Sequence, residues 1–131
     1  MIDTMLKLTG ARRESALAAA QRDTDSLARS SPWMQEFIEH DPSVVARGVR
    51  TPVLIVQGLT DHQVPASEAD KLADAFRSGG NASVTVRKFA ATNHLFIADE
   101  IGSFDYAKLP SLHVRPEVLA SISEWLSAQF K

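Results

Sequence analysis

The sequence predicts an α/β fold in which two short parallel strands position the residues capable of chemistry, and three observations lead there. Two runs rich in β-branched residues, Pro52-Val53-Leu54-Ile55-Val56-Gln57-Gly58 and Ser83 to Phe89, stand on either side of a helical stretch. A second helical stretch closes the chain, so the order from Thr51 is strand, helix, strand, helix. That order belongs to parallel strands joined by a right-handed crossover. Of the 131 residues, 44% are hydrophobic and 23% charged, which suits one soluble core of ordinary size.

Each element has its own signal. From Ile2 to about Arg29 the residues are mostly Ala, Leu, Arg, Glu and Gln, good helix formers, with Gly10 as the expected break. Ser31-Pro32 interrupts this stretch. Trp33, Met34, Phe37 and Ile38 then recur at helical spacing and predict a short amphipathic helix ending near His40. Asp41-Pro42 reads as an N-cap and first-turn pair for one or two helical turns to about Ala46. The strand at 52–58 is uniformly apolar as far as Val56, which predicts burial on both faces with a neighbour at each edge. Pro65 to Arg77 follows as a helix with Ala69, Leu72, Ala73 and Phe76 on one face, and Ser78-Gly79-Gly80-Asn81 stops it. In the second strand Val84 and Val86 alternate with Thr85 and Arg87, so one of its faces should be less covered. A loop from Ala90 to about Arg115 leads to the last helix, opened by Pro116 and striped with Val118, Leu119, Ile122, Trp125, Leu126 and Phe130. The chain thus divides into a helical segment at 1–50 and a βαβα unit at 51–131.

Several function classes are disfavoured by composition. With no cysteine, thiol catalysis, Cys-ligated zinc and a disulfide scaffold are excluded, and a reducing compartment is the natural setting. A net charge of −2 provides no broad basic surface, so nucleic acid is not expected as a partner. No uninterrupted apolar run approaches the ~20 residues of a membrane helix. The first seven residues show no basic stretch followed by an apolar one, so the expected location is cytoplasmic. His40 and His113 have no metal-binding spacing, and neither a metal nor another cofactor is expected.

In open α/β sheets, catalytic groups gather just beyond the carboxyl ends of the strands. Here the first strand runs into Gly58-Leu59-Thr60-Asp61-His62-Gln63-Val64-Pro65 and the second into Ala90-Ala91-Thr92-Asn93-His94-Leu95-Phe96. Neighbouring strands lie ~4.8 Å apart, so loops leaving the same ends can bring Asp61 within hydrogen-bond reach of His94. Taken singly, each residue has a plainer reading: Asp61 as a turn or capping residue, His94 as a loop histidine with a local hydrogen bond. Taken together on adjacent strand ends, they are placed to hydrogen-bond to each other.

The stretch from Trp33 to Phe130 resembles the C-terminal part of an α/β-hydrolase of the esterase and prolyl-oligopeptidase-like kind. Pro52 to Gly58 with Asp61 and Val64-Pro65 is similar to that family's penultimate strand and acid loop, and Asn93-His94-Leu95-Phe96 to its histidine loop. The resemblance implies a partial α/β-hydrolase fold with a cap-like or connecting segment at 1–50. It implies that Asp61 orients the imidazole and that His94 is the general base that takes a proton from a serine hydroxyl, for ester or amide hydrolysis without a cofactor. The nucleophile departs from the pattern. No serine of the chain stands in Gly-x-Ser-x-Gly, and Ser15, Ser26, Ser30 and Ser31 lie in helical sequence with no strand before them.

The expectation is therefore a hydrolase-like fragment with acid and histidine, without nucleophile or oxyanion hole, and inactive alone. Two other readings stay open: a binding or oligomerisation module derived from a truncated hydrolase, and one half of a split enzyme. The substrate-binding residues are unknown. His62 is expected to be an exposed neighbour, and Asp99, Glu100, Asp105 and Tyr106 a solvated loop. Trp33, Phe37, Trp125 and Phe130 read as packing, with substrate contact an alternative for Trp33 and Phe37 if their helices form a lid. A two-stranded sheet is marginal by itself, and the free edge of 52–58 is a template for another chain. The expected partner is a second copy, with the helices of 2–29 exchanged, or a missing hydrolase half. Light scattering at micromolar concentration should accordingly find an oligomer, and a well-folded monomer would contradict it.

Overall fold

A computed structural model describes residues 10–103 and 105–130 and contains two compact units that divide between Asp41 and Pro42. The helix expected from Ile2 lies, as far as Thr9, outside the described residues.

The first unit pairs α1 (Gly10–Ser30) with α2 (Pro32–Glu39). Gly10 stands at the start of α1 with φ 54°. The break at Ser31-Pro32 has a local cause: Ser31 Oγ accepts from Met34 N at 3.3 Å as N-cap, and Pro32 takes a first-turn position where no N–H is needed. Trp33 and Phe37, one helical turn apart, stack with ring centroids 5.5 Å apart and remain largely exposed.

In the second unit α3 (Pro42–Ala46) packs against α4 (Ala66–Ser78), α4 packs on both β1 (Val53–Gly58) and β2 (Val84–Phe89), and α5 (Pro116–Gln129) packs on β1. The short helix Pro42–Ala46 thus goes with the strands, ahead of the change of pattern at Thr51. β1 and β2 are parallel, in register from Val53 opposite Val84 to Gly58 opposite Phe89. A buried amide aligns their starts. Asn81 Nδ2 donates to Val49 O and Thr51 O, and its Oδ1 accepts from Ser83 N at 2.8 Å, so the stop of α4 also fixes where both strands begin.

The core is small. Ala46, Ala69, Ala73, Ala75, Ile97 and Val118 are its buried hydrophobic residues. Two expectations need correction. Val53 to Val56 are half-buried where burial on both faces was expected, because among the described residues β1 has a strand on one edge only. Along the stripe of α5 Val118 is buried and Ile122 and Trp125 half-buried, while Leu119, Leu126 and Phe130 face solvent. The apolar face that the periodicity predicted is thus covered only in part.

Past the strands the ladder continues into the loops. Leu59 N donates to Phe89 O at 2.8 Å and Thr60 N to Thr92 O at 3.1 Å. Gly58 sits against the carbonyls of Thr92 and Asn93, and a Cβ there would fall on them. Gly58→Ala is therefore expected to destabilise the chain by about 1–3 kcal/mol through forced separation of the two loops, read as a lower urea midpoint.

Candidate active site

Asp61 and His94 are brought together by the parallel register: one follows β1, the other β2, and both loops leave the same end of the sheet. His94 Nδ1 lies 3.0 Å from Asp61 Oδ2. The Asp61 side chain is 6% exposed and that of His94 39% exposed, so the acid is enclosed and the imidazole open on its outer side. His94 Nε2 makes no hydrogen bond to the described residues.

Local sequence explains how Asp61 is held. Its Oδ1 accepts from Gln63 N at 2.8 Å and from Val64 N at 2.9 Å, the self-capped turn typical of Asp. The capping reading of Asp61 thus applies to its own turn, since α4 starts later with Pro65 at its N-cap. Oδ2 is left for the imidazole and for Gln57, whose Nε2 lies 3.3 Å away. The same buried amide donates to Gly58 O at 3.0 Å and Val64 O at 3.1 Å, and so closes the acid loop across its base. Three acceptors on one side of the amide require its nitrogen to face them.

The histidine loop has an equivalent support. Asn93 Oδ1 accepts from Leu95 N at 3.0 Å and Ile97 N at 3.2 Å, turning the chain around His94, and Asn93 Nδ2 reaches Asp99 Oδ2 at 3.3 Å. Asp99 Oδ1 in turn accepts from Ile101 N and Gly102 N, and Asp99 O accepts from Thr60 Oγ1 at 2.6 Å, which joins the two loops. Asp99 is 5% exposed, a correction to the solvated loop expected of it. Nothing in its sequence context marks it, because its partners come from three separate turns. Gln57 was equally missed, although a polar residue after Val53 to Val56 was a usable signal. Tyr106 is half-buried and its OH accepts from Gln63 Nε2 at 2.9 Å, whereas Glu100 and Asp105 are exposed as expected. His62 is exposed, with Nε2 3.1 Å from Ile101 O.

No group of three or more His, Asp or Glu able to hold a metal occurs among the described residues. An open concavity of about 460 Å³ beside the histidine loop, lined by residues including Ala91, Ala98, Leu109 and Arg115, touches neither Asp61 nor His94. Among the described residues no helix is long and apolar enough to cross a membrane.

The prolyl oligopeptidase family matches residues 13–130, a span that holds both strands and both loops. The chain belongs to the prolyl oligopeptidase family. A second likeness is to esterase EstD of Thermotoga maritima, 27% identical over 100 residues, which are 76% of this chain and 24% of that protein. This prolyl oligopeptidase family chain therefore spans about a quarter of the length of that curated relative. No solved structure matches it. The fold is accordingly that of an α/β-hydrolase-like fragment, as the motifs at 52–65 and 93–96 imply.

The carboxyl of Asp61 titrates below the ordinary range. Burial alone would raise it, and the hydrogen bonds from Val64 N, from His94 and from Gln63 N, with the charge of a protonated imidazole, outweigh that effect. Because the folded value is the lower one, Asp61 contributes stability above about pH 4 and loses it as pH falls through the depressed value. Urea titrations at pH 5 and pH 2 should show that Asp61→Asn loses less stability than the wild type over that interval, about what one titrating group provides.

Proposed function

We propose that this chain supplies the acid and the general base of a serine-hydrolase site for esters or amides, with Asp61 and His94 in those roles, and that it is inactive alone. The observation that carries the reading is the Nδ1-to-Asp61 hydrogen bond on an imidazole whose Nε2 makes no hydrogen bond to the described residues and whose outer side is open. With Nδ1–H held by the carboxylate, Nε2 is the basic nitrogen. A serine Oγ brought to Nε2 would give up its proton as the oxygen attacks the carbonyl carbon, and Asp61 would stabilise the imidazolium that forms. The proton would then pass from Nε2 to the leaving alcohol or amine. The family supports amides as substrates and the relative named an esterase supports esters.

Serine and oxyanion donors must come from elsewhere, because no Gly-x-Ser-x-Gly occurs in the sequence. A hydrolase portion with the missing strands fits β1, whose outer edge has no partner strand among the described residues. The reading assumes a cytoplasmic setting, in keeping with the absence of cysteine. The same unpaired edge favours a second reading, a non-catalytic module that joins copies of itself through β1.

The two readings part in one experiment. The chain is mixed with a separately expressed serine-bearing hydrolase portion and assayed with a chromogenic ester and a fluorophosphonate probe. Catalysis predicts hydrolysis and labelling of the serine only in the mixture, and a loss of at least about 10³-fold in kcat with His94→Ala or Asp61→Asn. Silence of the mixture, with self-association of the chain, would favour the module.

A further inference from the structure

The loop that carries His94 has a backbone shape that its own residues do not favour. Among the described residues only two non-glycine residues have positive φ, Ala91 at 47° and Phe96 at 58°, and they flank His94. Left-handed backbone is unfavourable for a residue with a Cβ and persists where surrounding contacts impose it. Here the carbonyls of both residues accept from the same partner. Arg115 donates from Nη1 to Ala91 O at 3.1 Å and from its backbone N to Phe96 O at 2.9 Å.

The rest of the guanidinium strengthens that hold. Nη1 also lies 2.5 Å from Ala90 O and 2.8 Å from Thr92 Oγ1, so its two hydrogens are shared among three acceptors at the start of the loop. Nε, at 2.7 Å, and Nη2 are engaged by Glu117 Oε1, which fixes the plane of the group. Arg115 stands at the N-cap of α5 and makes no side-chain cap bond there. That site favours Ser, Thr, Asp or Asn, and the helix dipole disfavours a cation. The residue is thus poorly suited to starting the helix and well suited to holding the loop.

We propose that Arg115 is the positioning residue for His94, pinning the loop at residues 90–92 with its side chain and at Phe96 with its backbone so that the ring meets Asp61. It makes no hydrogen bond to Asp61 or His94 and acts through the loop between them. The catalytic significance of this rests on the hydrolase reading above; the positioning itself does not.

The test reads the imidazole directly in the isolated chain. Nitrogen-15 NMR of His94 reports the fraction in the Nδ1–H form bonded to Asp61, and amide spectra and urea midpoints report the fold. Arg115→Met removes the side-chain hold and keeps the bond to Phe96 O. It is expected to shift His94 away from the bonded form by about fivefold, the factor that one hydrogen bond's net contribution corresponds to, while the amide spectrum of the sheet is retained. Arg115→Lys, with a cation but no fork, should fall between. Ala91→Gly accepts the left-handed backbone without strain, so in that background Arg115→Met should move His94 less. An unmoved His94 signal in a folded Arg115→Met, or the same shift in both backgrounds, overturns the proposal. Should Arg115→Met alone fail to fold, recovery by Ala91→Gly supports the assignment and failure to recover overturns it. Absence of hydrolysis in the mixed assay would count against the catalytic reading and leave this result untouched.

Discussion

The candidate site depends on the register between β1 and β2. Because Gly58 stands opposite Phe89 in a parallel pair, the loops that follow emerge side by side and can exchange backbone hydrogen bonds immediately. A one-residue slip would turn every strand side chain to the other face and carry the acid loop away from the histidine loop. Two features protect that register. Asn81 ties the starts of both strands through Val49, Thr51 and Ser83, and Gly58 allows contact with the Thr92 carbonyl that a larger residue would prevent.

Given that register, precision comes from buried polar groups more than from apolar packing. Gln57, Asn93, Thr92 and Asp99 are all buried near the loops, and no buried side-chain nitrogen or oxygen among the described residues lacks a partner. A satisfied network of this kind is directional, so it fixes side chains to a degree that alanine contacts cannot. Its cost is that each member left without its partner loses the full desolvation of a buried polar group. The acid loop and the histidine loop each have one amide at their base, Gln57 and Asn93, and Thr60 with Asp99 links the two.

The apolar side of the molecule is comparatively underused. A core made largely of alanines, a half-buried β1 and exposed Leu119, Leu126 and Phe130 on α5 leave much hydrophobic surface uncovered in the second unit. In an α/β fold such surface is normally covered by further strands and helices. The family match and the one-quarter span of the esterase from Thermotoga maritima agree with a fragment of that architecture.

The sequence by itself determined the elements, because their signals are local: the apolar run of Val53 to Val56, the Gly79-Gly80-Asn81 stop, Pro32 and Pro116 in first turns, and the spacing of Ala69, Leu72, Ala73 and Phe76. It also brought Asp61 and His94 to one end of the sheet, since parallel order alone dictates where loops emerge. Tertiary structure decided what lies around that pair. Asp99 looks like loop charge in the sequence and becomes a buried link only when the turns at 60, 93 and 102 meet. Arg115 looks like a residue before a helix, and its relation to Ala91 and Phe96 exists only because α5 begins beside the histidine loop. Periodicity reports which face of an element is apolar; how much of that face is covered, as for Leu119 and Leu126, depends on neighbours that the element's own sequence does not specify.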